Sequence, residues 1–98
     1  MSYDYRHIVR NVRRLLRRDL SLSLEVVSTT LAVDRHTAMR ALRQYGSSFM
    51  SVKDNLRRAN YLRLQRDVRQ FSAKEKANML GFRSVRGFRK WLRSNPTL

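Results

Sequence analysis

Helix breakers are almost missing from this chain: in 98 residues Gly46, Gly81, Gly87 and Pro96 are the complete set. No segment shows the apolar/polar alternation of a half-buried strand. A sequence with so few stops and no strand period is confined to an all-α architecture, so its fold is read from where helices start and end. Ile8, Val9, Val12, Leu15, Leu16 and Leu20 form one apolar stripe at helical spacing, with Arg6, Arg10, Arg13, Arg14, Arg17 and Arg18 over much of the remaining surface. This predicts a first helix over 4–19. Ser21 or Ser23 can cap a short second helix over 24–31, whose Leu24, Val27 and Leu31 share a face. Asp34 is the N-cap expected for a third helix over 35–45, which turns Ala38, Ala41 and Leu42 inward and stops at Gly46.

Ser47 or Ser48 starts a longer helix over 49–68. Its apolar positions run through Phe49, Val52, Leu56 and Ala59 and then move round to Tyr61, Leu64 and Val68, which predicts a different packing partner at each end. Such a helix, about 19 residues at ~1.5 Å each, is roughly 28 Å long and can space two small helical units. Ser72-Ala-Lys-Glu75 is an S-x-x-E capping box that starts a fifth helix at Ala73, running through Ala77 and Leu80 to Gly81. Ser84 caps a last helix over 85–93 carrying Phe88, Trp91 and Leu92, and Asn95-Pro96 stops it. The expected division is a leading helix with a first helix pair over 1–46, a linker helix within 47–71 and a second helix pair over 72–98.

Charge narrows the function. Lys and Arg number 22 against 7 Asp and Glu, a formal +15, yet 42% of residues are hydrophobic, enough for a modest core. A compact body repels itself at that charge, so a polyanion is the expected partner, nucleic acid first. The cations are not a tail: residues 1–49 carry a net +5 and residues 50–98 a net +10. Without Cys there are no disulfides, Cys-bearing zinc sites or thiol nucleophiles. His7 and His36 stand apart from any ligand cluster and the seven acids are scattered singly, so neither an enzyme nor a cofactor or metal protein is expected. The spacing of Trp91 and the phenylalanines reads as core rather than as a base-stacking platform. No apolar run reaches membrane-spanning length and the N-terminus lacks an h-region, which makes a cytoplasmic, nucleoid-associated address the expectation.

Two of the predicted helix pairs have the spacing of a helix-turn-helix, where helices crossing at about 90–120° need a small corner residue and a wedge of core. The first has Ala32 at its corner, with Val27 or Ser28, Leu31, Val33, Ala38 and Ala41 as the wedge. The second has Gly81, preceded by Ala77 and Leu80, followed by Phe82, and lined by Phe88 and Leu92. The strings SLEVVSTTLAVDRHTAMRAL and LRRANYLRL, with Ala77-Asn-Met-Leu-Gly81-Phe82 and then Phe88, resemble the DNA-binding domain of the AraC/XylS family of bacterial transcription regulators over about residues 21–96. The chain departs from the family where Lys76 replaces a usual isoleucine and Tyr61 a small alanine, where 42–46 is one residue short, and in the short ending RSNPTL. These mark a divergent member and make the second unit the expected weaker half.

The resemblance implies a sequence-specific regulator on double-stranded DNA, without a sensor domain, the second helix of each pair entering the major groove. It implies base contacts from Arg35, His36, Met39 and Arg40 in the first unit and from Val85, Arg86 and Lys90 in the second. Phosphate contacts are expected from Thr37, Arg43, Arg83, Ser84 and Arg89. RNA polymerase is a second candidate partner, and because two units already supply two half-site readers the expected state is a monomer. Two rivals remain: a nucleoid or RNA binder that reads only shape and phosphates, and a membrane-surface protein built on the amphipathic first helix.

Overall fold

The structure, a computed structural model, describes residues 4–98. It is all-α, with six helices: α1 (Tyr5–Arg18), α2 (Leu24–Thr30), α3 (Arg35–Gln44), α4 (Phe49–Arg66), α5 (Ala73–Met79) and α6 (Val85–Arg93). Each start is fixed by a side-chain cap, which satisfies N–H groups that a helix leaves open. Asp4 accepts from the His7 N–H, Ser23 from Val26, Asp34 from Thr37, Ser48 from Ser51, Ser72 from Glu75 and Ser84 from Gly87. The box at Ser72 and Glu75 forms as the sequence predicts, and Ser48 and Ser51 form a second one.

Three helix ends share one closure. After α2, the Ala32 N–H donates to the Thr29 carbonyl and the Val33 N–H to Ser28. After α3, Gly46 donates to Arg43 and Ser47 to Leu42; after α5, Gly81 donates to Asn78 and Phe82 to Ala77. This paired pattern requires a left-handed residue just past the cap, here Ala32 at φ 56°, Gly46 at 67° and Gly81 at 80°. The two corner residues singled out by spacing are therefore two of the three that reverse the chain.

Two hydrophobic clusters hold the helices. The first buries Ile8, Val9, Val12, Leu16 and Leu20 of the leading segment against Val27, Ala41, Leu42 and Val52, with Phe49 and Leu56 partly buried beside them. The second gathers Tyr61, Ala77, Leu80 and Phe88, flanked by Leu64, Phe82, Val85, Trp91, Leu92 and Leu98. α4 thus supplies its first three turns to one cluster and its C-terminal half to the other, which accounts for the drift of its apolar face. Two details differ from the sequence expectation. Ala59 is exposed, and Val68 lies beyond the end of α4 with 97% of its surface in solvent. The chain leaves α4 at Asp67, where the Arg69 side chain and backbone N–H bind the carboxylate and lower its pKa to about 2.

Tyr61, Lys76 and the ending after Arg93 each find a place in the second cluster or at its edge. Tyr61 fills the centre of the second cluster, its ring 6.1 Å from Phe88 and 6.0 Å from Trp91. Lys76 lies half-buried and runs its ammonium to within 3.4 Å of Gln65 Oε1 in an exposed hydrogen bond, so its charge stays outside the cluster. Leu98 turns back onto the cluster, its N–H bonded to the Asn95 carbonyl.

Candidate nucleic-acid interface

Each helix pair carries cations on the outer face of its second helix because the inner face is occupied by the wedge of core. On α3 the period places Ala38, Ala41 and Leu42 at full burial, which leaves Arg35, His36, Arg40 and Arg43 exposed. On α6 Phe88 is buried and Trp91 and Leu92 are half-buried, leaving Arg86, Arg89, Lys90 and Arg93 exposed. Arg83 and Ser84 stand exposed just ahead of α6. The Ser84 oxygen accepts from the Gly87 N–H at 3.1 Å, so its own hydroxyl hydrogen stays available to a phosphate at the helix N-terminus.

Among the described residues the ion pairs are Arg58 with Asp54 and Arg69 with Asp67, each at 2.9 Å. None of the cations on α3 or α6 takes part. Both faces therefore present positive charge with no internal counterion, although α3 begins at a carboxylate. The Thr37 backbone N–H, 2.7 Å away, holds the Asp34 carboxyl below its ordinary value, and the Thr37 hydroxyl adds to this.

Three expected site residues are placed differently. Thr37 does not face outward: it is buried, and its hydroxyl donates to Asp34 Oδ2 at 3.0 Å, because position three of a helix points back at its own cap. Val85 packs against the second cluster, since the first turn of α6 must cover Phe82 and Phe88. Met39 is half-buried and lines a groove of about 500 Å³ with Leu24, Arg43, Phe49, Met50 and Lys53, between α3 and the start of α4.

Sequence reasoning missed a polar cluster on α4. Lys53 is buried and donates to the Leu22 carbonyl at 2.7 Å, with its ammonium over the Phe49 ring. Burial, and then the neighbouring Arg57, push the Lys53 pKa down. Asp54 accepts from the Trp91 indole at 2.7 Å, and Arg58 binds Asn95. Positions 53, 54, 57 and 58 share one face of a helix, and that charged stripe beside the drifting apolar one was the available signal.

Among the described residues no helix is long and apolar enough to cross a membrane, and no group of three or more His, Cys, Asp or Glu could hold a metal ion. No protein-family model, curated protein or solved structure matches the chain.

Proposed function

We propose that the protein is a sequence-specific double-stranded DNA-binding regulator of the AraC/XylS type, a divergent one, with α3 and α6 as its two recognition helices. The observation that carries this reading is the repetition. Two left-handed corners, at Ala32 and Gly81, are each followed by a capped helix whose exposed face is basic and without an internal counterion. The bases are read by Arg35, His36 and Arg40 from α3 and by Arg86 and Lys90 from α6. An arginine fork pairs with guanine O6 and N7, so Arg40 and Arg86 favour G. Arg43, Arg83, Ser84 and Arg89 bind phosphates, setting register without reading sequence. Thr37 and Val85 have structural duties instead, and Met39, at the edge of the α3 face, lines the neighbouring groove.

The length of α4, 18 residues at ~1.5 Å or roughly 27 Å, supports two half-site readers near the spacing of one duplex turn, about 34 Å. Against the membrane-surface reading, α1 buries most of its apolar stripe in the core, with Val12 and Leu16 at 0% exposure and only Leu15 half-buried, which leaves little of that stripe for lipid. A nucleoid location and contact with RNA polymerase belong to the same proposal, as does a monomeric state, which light scattering measures. The decisive experiment is selection from random duplexes with sequencing of the retained pool. Two short enriched blocks about one helical turn apart are expected. Retention without a motif sinks sequence reading and leaves the phosphate-binding nucleoid or RNA protein; binding to anionic vesicles but not duplex sinks both.

A further inference from the structure

The side-chain hydrogen bonds that join residues 23 to 37 positions apart all involve one face of α4: Lys53 to Leu22, Arg57 to Leu80 and Gly81, Arg58 to Asn95, and Asp54 to Trp91. Arg57 is the member that reaches the second corner itself. Its Nε donates to the Leu80 carbonyl at 2.9 Å and a terminal nitrogen to Gly81 at 3.4 Å, while the guanidinium lies 4.2 Å from the Phe82 ring centroid. Those carbonyls are the open, negative end of α5, where a planar cation with several donors is the best partner a side chain can offer.

The same corner is met from the other side by the first unit. A Cβ on Gly81 would collide with the Leu20 carbonyl carbon and stand 2.7 Å from the Leu20 Cβ, so the backbones touch there. One turn earlier on α4, Lys53 holds the Leu22 carbonyl, in the segment that continues from Leu20. The second corner is thus gripped between Leu20 of the first unit and Arg57 of the linker.

From this juxtaposition we infer that Arg57 is a positioning residue that locks the two helix pairs into one relative orientation, and through it sets the spacing of the two DNA blocks the protein accepts. The spacing half rests on the DNA reading above; the orientation half does not. A rigid pair of readers gains avidity only when both engage at once. One inserted base pair turns the second block by about 34° and shifts it by ~3.4 Å, which a locked pair cannot follow.

Because the chain has no cysteine, nitroxide labels can be attached at Gln44→Cys and Lys74→Cys, exposed positions on α3 and α5 outside the proposed DNA contacts. Pulsed electron-spin distance measurement without DNA is expected to give one narrow distribution for the native sequence and a broad one for Arg57→Met, which keeps the stem over Phe82 but loses the donors. An unchanged, narrow distribution in Arg57→Met overturns the inference. Trp91 emission checks that the second unit is still folded; if Arg57→Met unfolds it, Arg57→Gln, with one donor for Leu80 and no fork, is measured in its place and read the same way.

On selected duplexes, one inserted base pair should weaken the native protein by about 100-fold, the usual scale of lost avidity, and the Arg57 variant far less. A unit that was merely destabilised would lose the second block altogether at every spacing. Equal discrimination by both proteins overturns the spacing half. Absence of any preferred two-block site refutes the DNA reading, while the spin-label distances still decide the lock.

Discussion

The first helix pair turns its corner on Ala32 and the second on Gly81, and the same backbone closure is stabilised by different means at the two places. Ala32 is exposed, so its methyl group is not enclosed by the core, and its left-handed backbone carries the ordinary strain of a residue with a Cβ. Gly81 lies against the Leu20 backbone, where no methyl group fits. The cores differ in the same sense. The first cluster has nine buried hydrophobic side chains drawn from four helices and the loop after α1. The second has four, one of them Tyr61 borrowed from the linker, and fills its volume with aromatic rings. A unit with two short helices cannot enclose a core alone; it borrows a wall and presses its corner onto its neighbour.

That contrast makes the second unit the weaker one, for a reason other than Lys76, whose charge escapes to the surface. The largest effect is expected from Phe88→Ala, which removes the most deeply buried ring of the second cluster at a cost of about 3–5 kcal/mol. Trp91, the only tryptophan, reports on this unit. Its emission should take on solvent-exposed character while circular dichroism retains the helicity of α1 to α3. Simultaneous loss of both signals would mean that the two clusters fold as one.

Gly81→Ala comes next, at about 3 kcal/mol, combining a left-handed alanine with a clash against backbone. A melting curve like the native one would show that Leu20 can move away, and with it that the units are not pressed together at this corner.

At the faces proposed to meet DNA the effects are smaller and should be alike. Arg40→Ala and Arg86→Ala are each expected to cost about 1–3 kcal/mol on the preferred duplex and relax one base position. Arg13→Ala, on the exposed side of α1, should weaken all duplexes equally or leave them unchanged. If discrimination is intact in both variants, α3 and α6 do not read bases.

Ala32→Gly tests the first corner in the opposite direction. Relief of the left-handed strain, offset by glycine's greater freedom when unfolded, should raise stability by about 0.5–1 kcal/mol in thermal unfolding. A loss of stability would show that the alanine methyl packs against something there. The smallest contrast lies in the caps: Asp34 caps α3 and ionises, whereas Ser84 caps α6 and does not. The lowered Asp34 pKa means that its stabilising contribution is complete above the ordinary aspartate value, about 3.9, and is lost as the pH falls through the lowered value. The Thr37 amide resonance should therefore shift with acid where the Gly87 amide does not.

Local chemistry was legible because it acts over three or four residues. Caps at Asp34, Ser72 and Ser84, the stop at Gly46, the corners at Ala32 and Gly81 and the stripe on α1 all lie in short strings of sequence, and they determined an all-α chain with these starts and stops. Periodicity also separated inner from outer faces on α3 and α6, except in their first turns and at Met39, which is half-buried beside the start of α4. In the first turns Thr37 folds back to its cap and Val85 is drawn into aromatic packing, because the direction of a first-turn side chain depends on what covers the helix end. Only the tertiary structure decided what the α4 charges do. Lys53, Asp54 and Arg57 read as a solvated basic helix until partners 23 to 37 positions away arrive beside them. Whether an arginine meets water, phosphate or a carbonyl is fixed by long-range packing, and no short window of sequence contains that information.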